Sequence, residues 1–202
     1  MKPAPTAFFR SLPYRGCLFS ANLIGKLVCL SFGILPTMDA NLPEPLLNES
    51  NAAFIQGGVS ITASSCNPDR TPAVARAVGC RVSPDRLSVT LLFSSPRADE
   101  LFAAIRSGGK IAAVFSEPPT HRTLQLKGTD AKITSIQDGD SKINERYVQA
   151  FVAYVCPFGY SEELVQTLVA CKHEDLAAVT FTVWQAFLQT PGPRAGEPLC
   201  SR

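Results

Sequence analysis

The sequence predicts a mainly β domain with helical additions, an α+β fold built on a small barrel of six antiparallel strands. Six short runs alternate apolar and polar residues and are separated by turn residues, which is typical of strands. Three amphipathic segments with helical spacing interrupt them. With 46% apolar and 18% charged residues in a chain of 202, the composition fits one globular domain. Many short strands around a few helices favour a barrel.

The first three strands form a predicted meander. Val59, Ile61 and Ala63 alternate with polar neighbours, and turn residues then lead into a second run over 71–82. A further turn leads to the third run, over 86–95. Such short connections between consecutive strands predict antiparallel pairing.

The second strand carries two arginines, Arg76 and Arg81, in an otherwise apolar run. Strict alternation would place them on opposite faces. Gly79 lies between them, and a glycine inside a strand often marks a β-bulge, which shifts the alternation by one residue. Both guanidinium groups would then share one face and could bind a phosphate. The alternative is that both are edge arginines in solvent.

A helix follows the third strand. Ser95 is its predicted N-cap, Pro96 fits the first helical position, and residues 99–100 are acidic, as is favourable in a first turn. Two glycines at 108–109 end it. Free N–H groups at a helix N-terminus bind anions, so Ser95 and Arg97 are candidate phosphate ligands. An ordinary capped helix is the alternative.

The second half supplies three strands and two helices. Strands are predicted over 110–118 and 123–136, and Thr123 and Gln125 share a face of the latter. A helix begins near Asp138 or Asp140, and a shorter one begins after Ser161. The last strand covers 175–189. The Pro/Gly-rich tail after it is too irregular to join a sheet and could carry Arg194 to a neighbouring subunit, or be a disordered terminus.

The first 37 residues differ from the rest, because they contain basic residues but no Asp or Glu and end in an apolar stretch. A start codon misassigned upstream of Met38, a signal or transit peptide, and a membrane anchor are the three interpretations. An anchor is least favoured, since only about nine apolar residues follow Lys26. We therefore divide the chain into an extension over 1–37 and a domain over 38–202.

Charge and cysteine usage exclude several classes. The net charge is +2 and no basic run occurs, so neither nucleic acid nor a membrane is an expected partner. Seven cysteines without a C-x-x-C pair, and only two histidines, predict neither a zinc site nor a disulfide framework. Thiols among apolar neighbours indicate a reducing compartment, the cytoplasm. No familiar catalytic motif occurs, and His121 or His173 are the only possible imidazole ligands.

The order of elements over 59–133 resembles the FMN-binding split barrel of the pyridoxamine 5′-phosphate oxidase family. In that family an arginine opens the segment that lines the flavin, a second basic residue follows, and a Ser-x-Lys/Arg pair begins the helix after the third strand. The corresponding residues here are Arg76, Arg81, Ser95 and Arg97.

The resemblance implies an FMN-dependent oxidoreductase acting on a small molecule, with a homodimer that binds the cofactor at its interface. Pro96 replaces a basic residue of the family, and the tail lacks the family's Arg-x-His pattern, so pyridoxamine phosphate is not the expected substrate. The alternative is a non-catalytic module of the same fold that binds haem or a flavin. The implied phosphate ligands are Arg76, Arg81, Ser95 and Arg97, the backbone near the ring is that of Ala77, Val78 and Gly79, and Thr123 or Gln125 bonds the ring edge.

Overall fold

A computed structural model of the protein describes residues 45–199. The predicted extension over 1–37 and its boundary at Met38 lie outside the described residues. The strands are β1 (Ser60–Cys66), β2 (Pro72–Val82), β3 (Ser88–Ser94), β4 (Ile111–Ser116), β5 (Thr123–Gly128), β6 (Lys132–Thr134), β7 (Leu176–Thr182) and β8 (Gln185–Leu188). The α-helices are α1 (Glu49–Ile55), α2 (Asp99–Gly108), α3 (Asp140–Val155) and α4 (Glu162–Val169), and three single-turn 3-10 helices begin at Ser95, Cys156 and His173.

All strand pairs are antiparallel, in the order β6-β7-β3-β2-β1-β4-β5-β8. The segment that contains β7 and β8 joins the two sides of this sheet, because β7 pairs with β3 and β8 pairs with β5. At the junction Val183 N donates to Leu87 O and Trp184 N donates to Lys127 O, both at 2.9 Å. The predicted α+β split barrel is confirmed.

The predicted number of six strands is wrong, because the described sheet has eight. The predicted strand over 123–136 divides into β5 and β6 around Asp130, whose carboxylate accepts hydrogen bonds from Thr182 N and its hydroxyl. The predicted last strand divides at residues 183–184, where the chain stops pairing with β3 and begins to pair with β5. The apolar residues shift from even to odd positions at the first break and from odd to even positions at the second, a signal that the sequence analysis missed.

Side chains fill the barrel interior. The largest fully buried ones are aromatic or branched aliphatic, and the Phe93 and Phe102 rings meet edge to face with centroids 5.8 Å apart. Along β4 and β5 every second residue is buried and the others are partly exposed. A barrel of this size has no room for a ring-sized ligand, so binding groups have to lie on its outer face.

The start of α2 differs from the prediction. Ser95 begins a 3-10 turn and does not cap an α-helix, which starts four residues later at Asp99. Ala98 separates the two with φ −127°, outside the helical range. The predicted C-terminal end is confirmed, because Gly109 has φ +62°, a conformation that favours glycine.

The expectation that the tail cannot join a sheet is wrong. Leu188 N donates to Glu197 O at 2.8 Å, and Leu199 N donates to Ala186 O at 2.9 Å, so the tail runs along β8. Arg194 forms an ion pair with Glu197 at 2.8 Å. The tail thereby covers the edge of β8, an edge that would otherwise present free backbone groups.

None of the helices within residues 45–199 combines the length and the apolar character that crossing a bilayer requires.

Candidate functional site

The predicted bulge in β2 is confirmed, because the register between β2 and β3 shifts between Ala77 and Gly79. Ala77 and Cys80 both belong to the core, two positions that strict alternation would separate. The bulge therefore places Arg76 and Arg81 on the same outer face of β2. Their guanidinium groups nevertheless have different partners.

Arg81 is paired with a carboxylate. Its Nε donates to Asp140 Oδ1 at 3.0 Å, and the side chains are 25% and 2% exposed, respectively. The second oxygen of Asp140 accepts a hydrogen bond from Gln137 N at 2.8 Å. Arg81 thus neutralises a buried charge in the first turn of α3.

The segment that was expected to lie near a flavin ring is covered by α3. Asn144 Nδ2 donates to Val78 O at 2.7 Å. A Cβ atom on Gly79 would lie 3.2 Å from Ile143 Cγ2, and Ala77 and Val78 are buried. A ligand could reach this backbone only if α3 moved.

Arg97 is also engaged within the protein. Its Nη1 donates to Leu168 O at 3.0 Å and its Nη2 donates to Thr167 O at 3.2 Å, in the last turn of α4. These carbonyls lack helical partners, and a cation is favourable there. Ser95 is half-buried at the start of the 3-10 turn. Arg97 therefore binds α4 to the turn before α2.

The other predicted residues share an open sheet face. Arg76 lies opposite Thr62, Thr62 opposite Val114, and Val114 opposite Gln125, so these four form one row across β2, β1, β4 and β5. All four are at least partly exposed. Strands lie about 4.8 Å apart, so the row extends about 14 Å from Arg76 to Gln125.

A second row lies beside the first and is polar. It consists of Ser60, Ser116 and Thr123, which are opposite one another on β1, β4 and β5. Arg76 Nη1 donates to Ser60 Oγ at 3.0 Å, and the hydroxyls of Ser116 and Thr123 lie 2.9 Å apart. Arg76, Thr123 and Gln125 are thus the predicted site residues that the structure brings together on one open surface.

Arg76 forms no ion pair with a carboxylate within residues 45–199. The buried Tyr147 hydroxyl lies near it and has no hydrogen-bond partner among the described residues. Burial raises the pKa of Tyr147 to about 12, and the positive charge of Arg76 partly opposes this rise. A guanidinium without a carboxylate partner suits an anion.

An apolar groove of about 540 Å³ adjoins Arg76, and the sequence analysis missed it. Its wall on α4 and on the 3-10 turn before it contains large apolar side chains that are exposed, from 48% for Leu164 to 59% for Phe158. The apolar residues of α4 occur as two adjacent pairs, so they cover a wider arc of the helix than one buried stripe does. This pattern could have indicated that part of the apolar surface of α4 is exposed. The lining residues are Ser60, Arg76, Pro118, His121, Phe151, Val155, Phe158, Tyr160, Leu164, Val165 and Leu168.

The two histidines differ in their surroundings. His121 is exposed, lines the groove and has φ +59°, which is uncommon for a residue other than glycine. His173 Nδ1 lies 2.6 Å from Ser141 Oγ, outside the groove. Only His121 can therefore contact a ligand in the groove.

Trp184 is a second feature that the sequence analysis missed. It is 59% exposed and lines another depression, of about 530 Å³, together with Lys110 and Lys127. The only tryptophan of the chain, directly beside a strand break, was the available signal.

The fold and the site define an α+β split barrel whose open outer face carries one uncompensated arginine beside an apolar groove. No protein-family model matches the sequence, and no curated protein is detectably similar to it. Several solved structures are similar in backbone. HupZ from Group A Streptococcus is 15% identical with a TM-score of 0.46, over 74% of this chain and 99% of that one.

Two more solved structures are similar to a comparable degree. A candidate pyridoxamine 5′-phosphate oxidase from Lactobacillus delbrueckii is 17% identical with a TM-score of 0.44, over 70% of this chain and 93% of that one. HutZ, described as the haem storage protein of Vibrio cholerae, is 14% identical with a TM-score of 0.40, over 67% and 89%. With TM-scores below 0.5, the strand pairing of the chain itself carries the fold assignment.

Proposed function

We propose that the protein is an FMN-binding oxidoreductase that holds the cofactor on the open outer face of the barrel. The observation that carries this proposal is the row from Arg76 to Gln125, which places a guanidinium without a carboxylate partner and a carboxamide about 14 Å apart on one surface. FMN likewise carries a phosphate and a polar ring edge at opposite ends of a ribityl chain.

Arg76 would hold the phosphate by charge-assisted hydrogen bonds, and Gln125 or Thr123 would bond the ring edge. Arg81 and Arg97 support the site indirectly, because they fix α3 and α4 beside it. The flavin supplies the electron-transfer chemistry, while the chain supplies binding and orientation. This division of roles agrees with the absence of familiar acid–base motifs from the sequence.

A second copy of the chain would cover the open face as a homodimer. Val74 and Trp184, each 59% exposed, lie on or beside this face, and the outward side chains of β4 include Val114. Pockets that bury most of a ligand favour such interfaces. The dimer would thus exclude water from a cofactor that a single barrel leaves exposed.

Haem is the second candidate cofactor, and His121 is the observation that favours it. An imidazole, apolar walls and a guanidinium line the same groove. The His121 imidazole would bind the iron, the apolar walls would contact the macrocycle, and the Arg76 guanidinium would hold a propionate.

The visible spectrum of the purified protein separates these candidates: flavin bands support the proposal and a Soret band supports haem. Titration of the cofactor-free protein with FMN then tests Arg76. Arg76→Ala should weaken FMN binding at least about tenfold, since a charged hydrogen bond contributes about 1.5 to 3 kcal/mol. Arg106→Ala, which removes an exposed arginine of α2, is the control. Equal affinities of the wild type and Arg76→Ala would overturn the assignment.

A further inference from the structure

The apolar groove beside Arg76 shows which chemical class of substrate the site accepts. Its volume of about 540 Å³ lies within the range of small-molecule pockets. Phe158, Tyr160, Leu164 and Leu168 line it and are each about half exposed. Burying such side chains against an apolar ligand is favourable in proportion to the area removed from water.

The charges around the groove disfavour an anionic substrate. Arg76 and His121 are its basic lining residues, and the proposed function assigns Arg76 to the FMN phosphate. The neighbouring guanidinium groups of Arg81 and Arg97 already donate to protein oxygens. Glu117 precedes the lining residue Pro118 and accepts a hydrogen bond from Tyr154 at 3.3 Å, and its carboxylate would repel an anion nearby.

The geometry points to an uncharged, mainly apolar substrate that carries one hydrogen-bond acceptor, such as an aromatic ketone. This inference rests on the proposed function, because it places the ligand beside the flavin-binding residues. The apolar body contacts the α4 side of the groove, and the acceptor receives a hydrogen bond from the His121 imidazole. A phosphorylated substrate would find no free cation here among the described residues.

The shape of the surface favours a small molecule over a protein segment. The groove is concave and is walled by α3, by α4 and by the turn between β4 and β5, which carries Pro118 and His121. A flat two-fold contact would require no such depression. The exposed side chains of α4 alternate with Val165 and Val169, which are buried, so the wall is fixed to the core.

Calorimetric titration of the full chain with 2-acetylnaphthalene, an uncharged aromatic ketone, tests the inference. Pyridoxamine 5′-phosphate is the anionic comparison, and both probes are titrated into flavin-free and FMN-saturated protein. The ketone should bind both forms. In the FMN-saturated protein, where FMN occupies Arg76, it should bind at least about tenfold more tightly than the phosphate ester. Equal or tighter binding of the phosphate ester to the FMN-saturated protein would overturn the inference.

Leu164→Ser/Leu168→Ser should weaken ketone binding at least about tenfold, because it removes the exposed part of the wall. Ala103→Ser adds a hydroxyl at an exposed position of α2 outside the groove and should leave binding unchanged. Unchanged ketone affinity in the double variant would refute the small-molecule pocket. A wild type that binds no ketone, together with a double variant that dissociates from a dimer into monomers, would refute it as well. A ketone that binds while FMN does not would refute the proposed function alone.

Discussion

Arg81 donates a hydrogen bond to Asp140 at 3.0 Å and thereby joins the outer face of β2 to the first turn of α3. Asp140 lies next to the positive end of the helix dipole, so its charge is stabilised twice. This pair holds α3 over the bulge of β2. It explains why the backbone at residues 77–79 is closed to a ligand although the family resemblance implies one there.

Arg81→Ala should destabilise the fold, because it leaves the Asp140 carboxylate buried without a counter-charge. We expect a loss of about 3 kcal/mol in the free energy of unfolding, at the lower end for a buried pair because a quarter of the Arg81 side chain is exposed. Urea denaturation measures it, with Arg106→Ala as the control. If stability were unchanged while FMN affinity fell, Arg81 would be a phosphate ligand after all.

Asn144 connects three elements, and its replacement should lower the free energy of unfolding about as much as that of Arg81. Its amide donates to Val78 O and to Val169 O, and its oxygen accepts from Cys171 N. Asn144→Ala leaves these backbone groups unpaired in a buried place, which we expect to cost about 3 kcal/mol. Gln149→Ala, at an exposed position of the same helix, should change the free energy of unfolding by less than about 0.5 kcal/mol. Equal midpoints in urea for both variants would contradict this role.

The sequence predicted the structural features that depend on residues close together along the chain. Alternation predicted the strands, because one face of each is buried. Gly79 predicted the bulge, because glycine accommodates the irregular backbone that a bulge requires. The end of α2 at Gly109 followed from the same conformational freedom.

Contacts between distant residues account for the features of the site that the sequence could not predict. Asp140 and Asn144 resemble ordinary polar residues of a solvated helix, and their partners Arg81 and Val78 lie 59 and 66 positions away. The sequence analysis did not predict the exposed apolar wall of α4 either, because the packing of α4 against the rest of the fold decides which of its apolar residues are buried. The sequence therefore identified Arg76, Thr123 and Gln125 as candidates but could not indicate that α3 and α4 engage the others.

Tyr147 should make stability depend on alkaline pH. Its pKa of about 12 in the folded protein exceeds the ordinary value of about 10, so the unfolded chain ionises first. The contribution of the protonated Tyr147 side chain to the free energy of unfolding is therefore complete below pH 10. It falls by about 1.4 kcal/mol per pH unit between pH 10 and 12. Tyr147→Phe removes this dependence, and parallel urea titrations at pH 8 and pH 11 measure it. Equal losses in both proteins on going to pH 11 would contradict the prediction.

The open face should mediate dimerisation. Val114 lies in the middle of the row between Thr62 and Gln125, so Val114→Lys places a charge at the centre of the proposed contact. Light scattering at low micromolar concentration should give about twice the chain mass of 21.7 kDa for the wild type and a single mass for the variant.

The same variant tests whether the cofactor site requires the second copy. Because Val114 is only partly buried and points out of the barrel, Val114→Lys should fold with an unfolding midpoint close to that of the wild type. If the partner covers the flavin, FMN affinity should fall together with the dimer. Val74→Lys, on the next row of the same face, should weaken both to a smaller extent. A monomeric variant that binds FMN as tightly as the wild type would show that one barrel holds the cofactor alone.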